Sequence, residues 1–325
     1  MLKGLVIAGY GGHAGYAFSV AYELAKHGVM LDILLPKGYE HLSKKFNGLG
    51  KLRYAVLPRK PLEPFHRGIH RWLAGFASTA GLVKEKYDFV FAAGSNFSIP
   101  ASTWVKLVRN TPVYVVEDVN RFSKPAKAVK ILHMLGGKVL LHWEEQKTLY
   151  RDGIVVGPLH EPPLLKPSDE GYLLVTLGTL GSPEVFEAVV SLDLEKAVVQ
   201  TGDIDPAPYA SRKPNWVFFR HVDDFHKWLA GASVVVTHPG TTAVTARLAY
   251  GKPVVLVYTN RHSPLYPRED VEMLAHKLGA TFTDRVTPDN LEAALREAVK
   301  LEKPLYKNGA QNASKLILKD CLKRC

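Results

Sequence analysis

The sequence predicts an α/β fold of two Rossmann-like, doubly wound parallel-sheet domains facing across a cleft, and three observations lead there. Short β-branched runs alternate with longer amphipathic stretches, the pattern of a parallel sheet covered by helices. A length of 325 residues exceeds what one hydrophobic core usually supports, so two cores are expected. The alternation breaks once, at the proline-rich run Gly157-Pro158-Leu159-His160-Glu161-Pro162-Pro163 that continues to Pro167, and then restarts.

Strands are expected over residues 5–8, 31–35, 54–57, 89–92, 113–116 and 139–142, and again over 172–176, 196–200, 216–219, 233–237 and 254–258. Helices fill most of the gaps, and a last one covers 308–323. The first domain is therefore read as residues 1–157, the linker as 158–170 and the second domain, with the final helix, as 171–325. In such sheets ligands bind outside the carboxyl ends of the strands.

Composition narrows the function. Hydrophobic residues at 46% and charged residues at 22% describe a folded globular chain rather than long disorder. The apolar run Leu5 to Ala8 is too short for a signal peptide, and no later stretch reaches the roughly 18 uninterrupted apolar residues of a membrane span, so a cytoplasmic protein is expected. A net charge of +11 points to a polyanion, which is nucleic acid, an anionic membrane surface or a phosphorylated substrate. No RNA- or DNA-binding motif accompanies the charge, and nucleic acid is not expected as a partner. Cys321 and Cys325 are read as a frayed terminal turn rather than a metal pair.

The first strand runs into Gly9-Tyr10-Gly11-Gly12-His13-Ala14-Gly15 and a helix. A glycine-rich turn at a helix start points backbone N–H groups at an anion, and phosphate is the natural guest. Gly9, Gly11 and Ala14 also fit the dinucleotide pattern, but the second strand ends Leu34-Leu35-Pro36-Lys37, with no acid to hold a ribose. The second domain offers three loops at strand ends: Thr176-Leu177-Gly178-Thr179-Leu180-Gly181, Gln200-Thr201-Gly202-Asp203 and Thr237-His238-Pro239-Gly240-Thr241-Thr242. Glycines and hydroxyls at a helix start can donate to a diphosphate, with His238 as a further donor, and such a site needs no metal. Each loop alone could be an ordinary capped turn; the three together favour a nucleotide. Asp203-Ile204-Asp205 is read as turn chemistry rather than a Mg²⁺ site.

These residues resemble the inverting glycosyltransferases of the two-domain GT-B type. The likeness is to the two-subunit eukaryotic enzyme that adds the second N-acetylglucosamine to dolichyl diphosphate, with both subunits fused in one chain. The N-terminal half looks like the acceptor-side subunit through Gly11-Gly12-His13, Val116-Glu117 with Arg121, and His142-Trp143-Glu144-Glu145-Gln146. The C-terminal half looks like the donor-side subunit through Val175-Thr176-Leu177-Gly178-Thr179 and Thr237-His238-Pro239-Gly240-Thr241-Thr242 followed by Gly251-Lys252-Pro253. A more distant likeness is to the bacterial enzyme that glycosylates lipid I. Where these relatives carry a ribose-gripping glutamate, five residues before the glycine matching Gly251, this chain has Ala246. Their His-Gln element has no clear match, and Glu269 or Asp270 would stand in for it.

The resemblance implies a UDP-sugar donor, an acceptor sugar on a polyprenyl or dolichyl diphosphate, no cofactor or metal, and peripheral attachment to the cytoplasmic face of a membrane. It implies donor contacts from Gly178, Thr179, Gln200, Gly202, His238, Gly240, Thr241, Thr242, Glu269 and Asp270. It assigns acceptor contacts to Gly11, Gly12, Arg121, Trp143 and Glu144. His13 is either the base or a ligand of the acceptor's diphosphate. Glu117 is the reserve base, or one half of a surface pair with Arg121. The basic, aromatic run from Arg59 to Phe76 either lies on an anionic bilayer through Phe65, Ile69, Trp72, Leu73 and Phe76, or turns that face into the core. Two other readings share the architecture: a UDP-sugar 2-epimerase, and a non-catalytic nucleotide-sugar-binding partner.

Overall fold

A computed structural model describes residues 1–59, 63, 68–261 and 263–324. The chain divides into two compact units, Met1–Leu159 with Lys307–Cys325, and His160–Tyr306.

The strands of the first unit are Lys3–Ile7 (β1), Met30–Pro36 (β2), Lys51–Ala55 (β3), Phe89–Ala92 (β4), Val113–Val116 (β5), Lys138–Leu141 (β6) and Ile154–Val155 (β7). Those of the second are Tyr172–Thr176 (β8), Ala197–Gln200 (β9), Val217–Phe219 (β10), Ala232–Thr237 (β11), Val254–Val257 (β12) and Thr281–Thr283 (β13). The sheets run β3-β2-β1-β4-β5-β6-β7 and β10-β9-β8-β11-β12-β13. Pairing is parallel throughout, as in the registers Ile7 to Ala92 and Thr176 to Thr237. Both sheets are doubly wound, with the strand order reversing beside β1 in one and β8 in the other.

Gly12–Lys26 (α1), Ile69–Thr79 (α2), Ser98–Arg109 (α3) and Lys127–Met134 (α4) are helices of the first unit. Pro183–Val190 (α5), Ala207–Ala210 (α6), Phe225–Gly231 (α7), Thr241–Val244 (α8), Arg268–Leu278 (α9) and Pro288–Ala298 (α10) belong to the second. The last helix, Gly309–Leu322 (α11), returns to the first. Central strands such as β4, Phe-Val-Phe-Ala, and β5, Val-Tyr-Val-Val, are buried at every position because helices cover both faces of a parallel sheet.

The return of α11 corrects the expectation that it closes the second domain. Its buried face carries Ala313, Ile317 and Cys321, so Cys321 is not in a frayed turn; Cys325 lies outside the described residues. Tyr114 Oη donates to Asp320 Oδ2 at 2.8 Å, Lys138 pairs with the same carboxylate at 2.5 Å, and Asn312 Nδ2 donates to the Val156 carbonyl at 2.7 Å. Gly309 lies so close to Gly157 that a Cβ would fall 2.0 Å from its carbonyl oxygen. The run read as a linker is tied down from its start: Leu159, His160 and Glu161 are buried, and Ser168 and Glu170 donate backbone bonds to Ala230 and Gly231.

Of the basic, aromatic run, residues 60–62 and 64–67, Phe65 among them, lie outside the described residues. In α2 the remaining apolar positions divide. Trp72 and Phe76 pack on the core, whereas Ile69 and Leu73 are exposed. Among the described residues no helix is long and apolar enough to cross a membrane.

Candidate functional site

In the first unit β1 ends at the turn expected from its glycines. Gly9 and Gly11 have φ of 74° and 57°, a region costly for other residues, and Gly11 caps α1. Gly11 and Gly12 are exposed and Tyr10 and His13 half-buried in this turn, and α1 begins there with its first-turn N–H groups. The loop after β4, across the point where strand order reverses, packs against this turn: a Cβ on Gly9 would sit 2.6 Å from Ser95 Oγ.

His13 Nδ1 lies 2.6 Å from the Ala93 carbonyl oxygen. A carbonyl has no proton to give, so Nδ1 carries the hydrogen and Nε2 holds a lone pair. Asp118 Oδ1 stands 3.7 Å from the same nitrogen, with about a quarter of each side chain exposed. A partly open imidazole with a fixed tautomer and a carboxylate alongside can take a proton and hold the resulting charge.

Glu117 is not arranged as a surface base. Its side chain is 0% exposed and accepts from the backbone N–H groups of Asp118 at 2.7 Å and Ala126 at 3.0 Å. Burial, and then the charge of Asp118, push its pKa up to about 7. The segment after β5 is not helical, so the i, i+4 geometry for a pair with Arg121 does not arise. Trp143 is likewise buried, its indole N–H donating to the Val119 carbonyl at 2.8 Å. Glu144 is exposed and pairs with Lys147 at 2.9 Å.

The loop from Glu117 to Arg121 is instead held by its neighbours. Tyr16 Oη accepts from Val119 N at 3.0 Å, and Gln146 Nε2 donates to the carbonyls of Asp118 and Arg121 at 2.8 and 2.9 Å. His142 accepts at Nδ1 from Leu159 N, which leaves its hydrogen on Nε2 to donate to the Glu117 carbonyl at 2.9 Å. Desolvation lowers the pKa of His142 to about 3, so it works as a neutral bridge. These bonds fix the backbone that presents Asp118 to His13, a role the sequence does not single out. Strand alternation stops at Val116 and cannot say which of two adjacent acids turns outward.

In the second unit the three expected loops lie at the carboxyl ends of adjacent strands. Gly178 and Gly202 have φ of 68° and 67°. A Cβ on Gly202 would fall 2.4 Å from the Thr179 carbonyl, and Asp203 N donates to that carbonyl at 2.8 Å, so the loops after β8 and β9 are stitched together. Thr176 Oγ1 donates to Gln200 Oε1 at 2.8 Å. Gly240 is extended at φ 174°, and the helix it opens runs as α8 and then a π turn over Thr245–Ala249. Thr242 at its start is half-buried and Thr241 buried.

The half-buried His238 ring lies against Gly178 and Gly240, and desolvation lowers its pKa to about 4, so it is a neutral ring with a single N–H. Ala246 is 0% exposed within the π turn, so the position where the relatives carry glutamate is closed in this chain. Glu269 is exposed and Asp270 buried in the first turn of α9; His262 lies outside the described residues. Asp205 Oδ1 accepts from Ala207 N at 3.3 Å and Asp203 faces His221 at 3.6 Å, the contacts of turn residues. Among the described residues no group of three or more His, Cys, Asp or Glu is arranged to hold a metal ion.

Two doubly wound parallel sheets with glycine turns at their switch points give the chain the GT-B fold, and the match of its second half to a glycosyltransferase domain makes it a glycosyltransferase. Residues 172–324 match the glycosyltransferase family 28 C-terminal domain. The chain is 24% identical, over 95% of its length and 91% of the relative's, to UDP-N-acetylglucosamine--N-acetylmuramyl-(pentapeptide) pyrophosphoryl-undecaprenol N-acetylglucosamine transferase of Caldicellulosiruptor saccharolyticus. Among solved structures it is similar to Acinetobacter baumannii MurG, with a TM-score of 0.62 at 19% identity over 98% of this chain and 99% of that one. It is also similar to the UDP-GlcNAc 2-epimerase of Neisseria meningitidis bound to UDP-GlcNAc, with a TM-score of 0.63 at 17% identity over 99% and 100%.

Proposed function

We propose that the chain transfers N-acetylglucosamine, with inversion and without a metal, from UDP to a sugar carried on a polyprenyl or dolichyl diphosphate, as in assembly of a lipid-linked oligosaccharide. The observation that carries this reading is the His13 imidazole, its tautomer fixed by Ala93 and its charge balanced by Asp118, at the start of α1. In a single displacement Nε2 takes the proton of the acceptor hydroxyl as its oxygen bonds to the anomeric carbon. The bond from that carbon to the diphosphate breaks, and UDP leaves with the electron pair. The turn at Gly11 and Gly12 takes the acceptor's diphosphate on backbone N–H groups.

In the second unit the assigned donor contacts are the backbone of Gly178, Thr179, Gly240 and Thr241, with Thr242, Gln200 and Gly202 beside them. Oriented N–H groups at a helix start stabilise the departing charge. With Ala246 buried, ribose recognition falls to other groups, and Glu269 is the exposed acid in the matching region. The curated relative named above acts on an undecaprenyl diphosphate acceptor, which supports the lipid class; the dolichyl variant rests on the sequence resemblance. Attachment to an anionic membrane surface is supported by the +11 charge and by exposed Ile69 and Leu73, and the choice of the cytoplasmic face rests on the sequence resemblance.

The test is incubation of radiolabelled UDP-N-acetylglucosamine with prenyl-diphosphate-linked N-acetylglucosamine and, separately, N-acetylmuramyl acceptors. A lengthened lipid product with either supports transfer and names the acceptor. The likeness to an epimerase supplies a second reading on the same fold. Formation of the 2-epimer from UDP-N-acetylglucosamine without acceptor would establish it and overturn transfer.

A further inference from the structure

The end of β2, where a dinucleotide enzyme would carry an acid, is Pro36, and the loop after it brings in an aromatic residue. The acid of that strand, Asp32, lies mid-strand, bonded to Arg53 and Tyr87. After Pro36 the chain turns at Gly38, with φ of 85° and its N–H bonded to Glu40 Oε1 at 2.8 Å. This turn lays Tyr39 on Tyr10, the one large side chain of the glycine turn: the ring centroids are 5.5 Å apart and the planes 24° from parallel. Both rings are half-buried, with their inner edges on the core of the first unit. The wall continues at both ends. His41 lies 6.0 Å beyond Tyr39, and the edge of His13 meets Tyr10 at 6.5 Å with the planes 81° apart.

A stacked pair of tyrosines that ends at a candidate base is suited to a particular guest. A pyranose ring has a face of C–H bonds with slight positive charge, and an aromatic face is negative, so the two stack while the sugar hydroxyls stay free at the rim. We propose that Tyr10 and Tyr39 form a stacking wall for the acceptor's sugar ring, orienting its hydroxyl toward His13. The inference rests on the reading of the first unit as the acceptor side and adds to it how the sugar is recognised. The backbone turn reads the diphosphate, and the aromatic wall reads the sugar. Tyr10 and Tyr39 are positioning residues.

Calorimetry of the full-length chain with two probes tests this. One is N-acetylglucosamine 1-diphosphate on a short prenyl chain; the other is the same prenyl diphosphate without the sugar. Tyr39→Leu is expected to weaken the first by about tenfold, the size of one lost apolar contact, and to leave the second unchanged. Tyr39→Phe, which keeps the ring, restores the wild-type value. In turnover, Tyr39→Leu raises KM for the acceptor and lowers kcat, because the bound hydroxyl is no longer held toward His13, while KM for the donor holds. Equal weakening of both probes, or of neither, overturns the wall while leaving the acceptor reading in place. Wild-type protein that binds neither probe overturns both.

Discussion

The Ala93 carbonyl accepts a hydrogen bond from His13 Nδ1 at 2.6 Å, and this contact determines which ring nitrogen is available for chemistry. Substitution of His13 by alanine removes the lone pair at Nε2. Turnover should fall by about 10²- to 10⁴-fold, the usual worth of a positioned base, while UDP affinity measured by calorimetry stays at the wild-type value. Equal turnover would remove His13 from the mechanism; a matching loss of UDP affinity would reassign it.

Gly240 and Gly202 should respond to substitution in different ways. Gly240 is extended, so valine fits its backbone, while its Cβ would lie 3.3 Å from His238 Nε2 and press that ring aside. UDP should bind more than about tenfold more weakly, with the fold retained in circular dichroism. Gly202 combines a φ of 67° with the Thr179 carbonyl 2.4 Å from a would-be Cβ. Alanine there should cost of the order of 1–3 kcal/mol of stability in backbone strain alone, visible in a urea titration without any ligand. An unchanged Kd for Gly240→Val would contradict the donor-site assignment.

Acid should weaken the fold through His142. Its folded pKa, about 3, lies below the ordinary 6.5, so the unfolded chain takes up the proton first. Its contribution is complete above pH 6.5 and is lost as pH falls toward 3, about 2 kcal/mol by pH 5. His238, lowered to about 4, acts in the same direction. Glu117, raised from 4.5 to about 7, acts in the opposite one, its contribution lost as pH rises through that window. The difference in urea stability between wild type and His142→Asn at pH 7 and pH 5 isolates the first effect. The same pH dependence in both proteins would show that His142 is not its source.

Chelation tests the metal-independent reading directly. Transfer in excess EDTA should proceed at the untreated rate. A loss that added Mg²⁺ restores would return Asp203 and Asp205 to consideration as ligands.

Much of the fold is legible in residue pattern. Phe89–Ala92 and Val113–Val116 are short, apolar and, but for Ala92, β-branched or aromatic, and their bounds match those expected. Ile154–Val155 and Thr281–Thr283 escape because runs of two or three residues carry no period. The glycine turns are legible because positive φ at Gly9, Gly11, Gly178 and Gly202 is a demand few other residues meet. Side-chain direction is not. Glu117 and Asp118 differ by one position yet face opposite surroundings. The destination of α11 is hidden for a related reason: its amphipathic pattern reveals a buried face but not the sheet that buries it.

That destination sets the order in which the molecule can be completed. Because Lys307–Cys325 packs with Met1–Leu159, the second unit is an insertion in the first, and every residue of it leaves the ribosome before the first unit has its closing helix. The first unit is thus sealed after the second has been made, with the apolar surface that α11 covers left bare until that helix emerges. Loss of α11 alone would leave the second unit whole and open the core of the other.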